Sequence, residues 1–124
     1  MTRKRILFVD DDEQILALVS DFFGDDELDL VTAKDGAEAL RILEGDAPID
    51  LLVTDIVMPG GIDGFDIAHR AKQLRPDLHV IYISGFIKNI PWGEKGIGYG
   101  PLISKPFRLD DLGREMEKAL GPNG

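Results

Sequence analysis

The chain reads as an α/β protein built on a parallel sheet with helices on both faces. Two observations predict this. Short apolar runs alternate with amphipathic stretches along the whole length, the signature of βαβ units. The run Val80-Ile81-Tyr82-Ile83 is continuously apolar, as a strand covered on both faces requires. Right-handed crossovers then set the hand of each unit. The 124 residues suit a single domain over 1–124, with a core spanning about 5–120.

Residues 5–10 form the first strand, a short apolar segment stopped by Asp10-Asp11-Asp12. Residues 13–23 form a helix with Ile15, Leu16, Val19, Phe22 and Phe23 on one face, ended by Gly24-Asp25-Asp26. Residues 28–32 form the second strand. Asp35 to Leu43 is a helix with Ala37, Leu40 and Leu43 inward, and Asp35 and Glu38 stand at capping-box spacing. Residues 50–55 make the third strand, and Met58-Pro59-Gly60-Gly61 turns the chain. Residues 64–74 are helical along Phe65, Ala68, Ala71 and Leu74, until Pro76-Asp77 breaks the pattern. Residues 78–83 are the fourth strand, and the run 102–104 a short fifth. Residues 109–120 form the last helix, with Leu109, Leu112, Met116, Ala119 and Leu120 inward, stopped by Gly121-Pro122. One stretch breaks the alternation. Residues 86–101 should supply a fourth helix, but Pro91, Gly93, Gly96, Gly98 and Gly100 degrade it to a loop with at best one turn near Phe86 to Ile90.

Composition narrows the function classes. No apolar run reaches the length of a membrane span. The start, Met-Thr-Arg-Lys-Arg, is basic, but only four apolar residues follow before three aspartates, unlike a secretory signal. Without cysteine there is no disulfide framework, thiolate metal site or cysteine nucleophile, and a cytoplasmic setting is expected. A net charge of −9 argues against nucleic-acid binding and points to a protein partner.

The strand ends carry the chemistry. Ile6-Leu7-Phe8-Val9 runs into Asp10-Asp11-Asp12, Leu51-Leu52-Val53-Thr54 into Asp55, Val80-Ile81-Tyr82-Ile83 into Ser84, and Leu102-Ile103-Ser104 into Lys105-Pro106. In a parallel sheet these ends share one rim, where ligands bind. Asp10, Asp11 and Asp55 brought together would repel one another unless a cation neutralised them. Oxygen donors without His or Cys select Mg²⁺, or Mn²⁺ in its place. A carboxylate can take a phosphoryl group as a nucleophile. The metal, an ammonium and a hydroxyl can then share the phosphoryl charge.

The blocks ILFVDDDE, DLLVTDIVMPGGIDGFD, VIYISG and SKPF resemble the receiver domain of bacterial two-component response regulators, from about Arg5 to Leu120. The resemblance implies a flavodoxin-like doubly wound sheet of order 2-1-3-4-5. It implies that Asp55 is the phosphoacceptor, fed by a histidine kinase or a His-phosphotransfer protein. Asp11 would bind Mg²⁺ directly, Asp10 through water, and Val57 through its backbone carbonyl. Lys105 would hold the phosphoryl group, with a cis bond to Pro106, and Ser84 would be the switch hydroxyl. Asp12 reads instead as an N-terminal helix residue.

The implied protein is a signalling switch, a monomer or weak dimer, that catalyses only its own phosphorylation and dephosphorylation. It would alter the binding of a protein target. It could act alone or belong to a longer protein such as a hybrid kinase. Two departures bear on output: Leu102 stands where many receivers carry an aromatic residue, and the fourth helix is degraded. Two alternatives stand beside this reading. One is a small aspartate-nucleophile phosphatase, which needs an acid where Val57 lies. The other is a docking module indifferent to phosphorylation. His69 and His79 read as surface or edge residues. The stretch GEKGIGYG lacks the Gly-Lys-Ser/Thr ending of a phosphate loop, and Trp92 is expected to tuck onto the core, the alternative being an anchor for a partner.

Overall fold

The computed structural model describes residues 4–24, 28–85 and 99–121. These build five strands, β1 (Lys4–Val9), β2 (Leu28–Ala33), β3 (Leu51–Asp55), β4 (His79–Ser84) and β5 (Leu102–Ser104). Four helices accompany them: α1 (Glu13–Phe23), α2 (Gly36–Glu44), α3 (Gly64–Leu74) and α4 (Leu109–Leu120). The strands form one sheet in the order β2-β1-β3-β4-β5, with every pair parallel. The expected degraded fourth helix, Trp92 and most of the glycine-rich stretch fall within 86–98, outside the described residues.

Side chains alternate across the sheet and divide the core in two. Leu7, Val9, Leu52, Val80 and Tyr82 pack under α2 and α3 with Ala39, Leu43, Phe65, Ile67, Ala68 and Ala71. Ile6, Phe8, Leu51, Val53, Ile81 and Ile83 pack under α1 and α4 with Val19, Phe23, Leu112 and Met116. Period-two alternation with both faces covered explains why the central strands read as unbroken apolar runs.

Three inward faces differ from expectation. Leu74, at the last turn of α3, is 37% exposed, while Ile67 is buried on that helix instead. Phe22 is 51% exposed, standing edge-on to buried Phe23. In α2 the buried residues are Gly36, Ala39 and Leu43, while Ala37 is exposed. Small residues set that face: a Cβ at Gly36 would lie 2.5 Å from the Ile62 side chain. The capping box expected at Asp35 and Glu38 is half formed. Asp35 accepts from the Glu38 N–H at 2.8 Å, but the Glu38 carboxylate accepts from Lys34 N–H at 3.3 Å. The complete box lies at the start of α3, where Asp63 and Asp66 each accept from the other's backbone N–H.

Candidate functional site

Register decides what meets at the carboxyl rim. Val9 pairs with Ala33 on one side and Thr54 on the other, Asp55 pairs with Ile83, and Ser84 with Ser104. The residues that end or follow β1, β3, β4 and β5 are therefore level. The backbone bonds continue past the strands: Asp10 N–H donates to Ala33 O at 3.1 Å, Ile56 N–H to Ile83 O at 3.0 Å, and Lys105 N–H to Ser84 O at 2.9 Å.

Each acid is held differently. Asp10 is sealed from solvent, and its Oδ1 accepts from the Asp12 N–H at 2.9 Å. Asp12 in turn caps α1, accepting from Gln14 N–H at 2.9 Å, as expected of a helix-start residue. Asp11 is exposed beside a cleft of 710 Å³ lined also by Asp12, Lys34, Asp35, Pro59 and Gly60. Asp55 is buried at the end of β3. One oxygen from each of Asp10, Asp11 and Asp55 lies within 4.8 Å of the others.

Lys105 closes the cluster. Its Nζ lies 3.0 Å from Asp55 Oδ2 and 3.0 Å from Asp10 Oδ2. The Lys105–Pro106 peptide is cis. Ser84 is fully buried at the end of β4, while Val57 is 54% exposed just beyond Asp55. Five of the residues singled out in the sequence thus converge on the rim, and Val57 and Pro106 flank it. His69 and His79 lie elsewhere on the surface, and His69 Nδ1 is 3.1 Å from the Tyr99 hydroxyl. Leu102 is half-buried against the α2–α3 core cluster, where Tyr99 also packs.

The electrostatics follow from burial and crowding. Burial pushes the Asp55 carboxyl up from 3.8 to about 6; Lys105 opposes the shift, and the Asp10 and Asp11 charges add to it. Burial pulls the Lys105 ammonium down, but the two facing carboxylates outweigh it and hold its pKa above the ordinary value. The two directions are compatible: one lysine serves two acids and cannot compensate the desolvation of Asp55 alone. Asp10 Oδ2 forms an ion pair with Lys105 but no aligned hydrogen bond, so a buried acceptor keeps unused capacity. Hard oxygen donors at close spacing, two of the three buried, fit a small divalent cation.

Glycines shape the Asp55 segment. Gly60 and Gly61 take φ of 99° and 83°, which lets the chain turn back towards α3. Gly64 N–H donates to Ile56 O at 2.8 Å, and a Cβ on Gly64 would lie 2.4 Å from Asp55 O. Sequence reasoning missed Gly64; the Asp-Gly pair opening the helical pattern was the available signal.

Comparison with known proteins agrees with this geometry. The family model described as the response regulator receiver domain matches residues 6–117. The chain is 35% identical to the response regulator receiver protein CpdR of Brucella abortus, over 94% of this chain and 97% of that protein. A response regulator receiver protein from Sinorhizobium medicae superposes with a TM-score of 0.85 at 27% identity, covering 98% of both chains. The response regulator TrrA of Thermotoga maritima, solved in complex with Mg²⁺-BeF, superposes with a TM-score of 0.76 at 28% identity, covering 94% of this chain and 99% of that one.

Proposed function

Because the chain belongs to the response regulator receiver domain family, we propose that it is a phosphorylation-dependent switch whose phosphoacceptor is Asp55. The observation that carries this reading is the position of Lys105 Nζ, 3.0 Å from both of the buried acids, Asp55 and Asp10. An ionised Asp55 attacks the phosphorus of the donor's phosphohistidine, its O–P bond forming as the P–N bond breaks and the imidazole leaves. With its pKa at about 6 the carboxyl is mostly ionised at neutral pH. Lys105 follows the charge onto a phosphoryl oxygen, while Asp10 keeps the ammonium in place. Ser84, on the neighbouring strand end, turns its hydroxyl to the new acceptor and couples phosphorylation to its loop.

Asp11 and Asp55, the Val57 carbonyl and, through water, Asp10 would hold Mg²⁺. When bound, the ion neutralises the carboxylates and the phosphoryl oxygens that join them. That the Thermotoga relative was solved in complex with Mg²⁺-BeF supports Mg²⁺ as the ion. Val57 stands where an aspartate-nucleophile phosphatase needs its acid, which favours the switch.

The phosphodonor is a histidine kinase or a His-phosphotransfer protein met in the cytoplasm. A groove of 370 Å³ formed by Ile15, Leu18 and Val19 of α1 with Pro106, Phe107 and Leu109 abuts Lys105. Leu18 in this lining is 57% exposed, and Phe22, four residues further along α1, is 51% exposed. An apolar helix seated there carries its phosphohistidine to Asp55. The output is changed affinity for a protein target.

The test is exposure to a small phosphodonor with and without Mg²⁺. The wild-type chain gains a Mg²⁺-dependent, acid-stable and base-labile adduct, and Asp55→Asn gains none. Equal labelling of the Asn variant would refute the assignment.

A further inference from the structure

Among the described residues, four polar side chains are buried: Asp10, Thr54, Asp55 and Ser84. Three belong to the site described above. The fourth, Thr54, has no part in it, yet it is fully buried directly before Asp55. Its neighbours in β3, Leu51, Leu52 and Val53, are all apolar and fully buried. Valine would fill the same space without burying a hydroxyl, and a buried hydroxyl is costly unless bonded. The Thr54 hydroxyl is bonded: Oγ1 donates to the Asp55 backbone carbonyl at 2.8 Å.

That carbonyl belongs to the hinge between strand and active loop. Alternation along β3 puts Thr54 on the side of Leu52, which packs in the α2–α3 core. From that side Gly64 presses on the same carbonyl, at a distance no Cβ could accept. The N–H of that same peptide, on Ile56, donates to Ile83 O at 3.0 Å, and the Ile56 carbonyl accepts from Gly64 N–H at 2.8 Å. The Asp55 carbonyl is thus met from the α2–α3 side by both a hydroxyl and a helix start.

We propose that Thr54 is a positioning residue for phosphoryl transfer: its hydroxyl fixes the Asp55 peptide so that the carboxylate stays registered against Lys105, Asp10 and the cation. The proposal rests on Asp55 being the phosphoacceptor. A β-branched threonine suits the task, because its χ1 is stiff and the donated bond holds one orientation. Small displacements of a reacting group cost rate steeply. The hydroxyl therefore matters more to transfer than to folding.

The experiment compares the full chain as wild type, Thr54→Val, Thr54→Ser and Thr54→Ala. Magnesium affinity is measured by calorimetry without phosphodonor, and the rate constant of phosphorylation by a small acyl phosphate is normalised to the folded fraction. Val and Ala lose about tenfold in rate and several-fold in Mg²⁺ affinity, whereas Ser stays within about twofold of wild type. If Val fails to fold, Ser and Ala still decide, since they differ only in the hydroxyl. A Val variant with wild-type rate and affinity, or Ser as impaired as Ala, overturns the proposal. A wild-type chain that takes no phosphoryl group refutes the function proposed above, while the calorimetry still judges Thr54.

Discussion

Replacing Asp55 by asparagine removes a charge from a place that disfavours it, and the effect can be worked out. Burial raises the carboxyl pKa from 3.8 to about 6 despite the opposing Lys105. Each pKa unit corresponds to about 1.4 kcal/mol, so the ionised group costs the magnesium-free fold about 3 kcal/mol relative to a neutral one. Between pH 3.8 and about 6 the native state holds more protons than the unfolded chain. Stability therefore falls as pH rises through that window. Asparagine is neutral throughout and nearly the same size, and Lys105 keeps its 3.0 Å contact with Asp10. The variant gains up to about 3 kcal/mol at neutral pH, and the gain shrinks towards zero as the medium is acidified past the lower pKa. Urea unfolding in chelator at about pH 7.5 and about pH 3 measures both ends. Adding Mg²⁺ narrows the gap by stabilising the wild type alone. An Asn variant no more stable than wild type at the higher pH, or a gain that persists on acidification, would refute the reasoning.

Other perturbations test neighbouring parts. Lys105→Met strands two carboxylates and costs about 3 kcal/mol at neutral pH; the loss lessens as pH falls and Asp55 protonates, and carbon-13 NMR shows the Asp55 titration moved upward. Gly64→Ala forces a methyl against the Asp55 carbonyl, 2.4 Å away. The urea midpoint drops by the equivalent of about 2 kcal/mol, and phosphorylation of the remaining folded protein slows. Asp63→Ala deletes the capping box of α3 and costs about 1 kcal/mol, while Asp63→Ser keeps most of it, as thermal unfolding of the pair reports.

The rim was legible because each apolar run stops on a polar residue: Asp55 and Ser84 end their strands, and Asp10 and Lys105 directly follow theirs. Parallel pairing makes such residues neighbours however far apart they lie in the chain. What escaped reading depends on small groups. The inward face of α2 turns on Gly36 and Ala39, whose burial comes from close approach and leaves little hydrophobic periodicity. Phe22 read as core because it is large and apolar, yet the helix turns it outward beside buried Phe23 and leaves it 51% exposed. The box at Asp63 was hidden because aspartate replaces the usual glutamate or glutamine at its third helical position. Thr54 passed as an ordinary β-branched strand residue, since only its carbonyl partner reveals the hydroxyl's use.

The central claim is that Asp10, Asp11 and Asp55 surround one cation position next to Lys105. Soaking crystals of the chain in Mn²⁺ and mapping its anomalous scattering tests this most directly. The account predicts one strong peak in contact with Asp11 and Asp55, weakened or lost in Asp11→Ala. A peak elsewhere on the molecule, or none among these carboxylates at saturating metal, would contradict it.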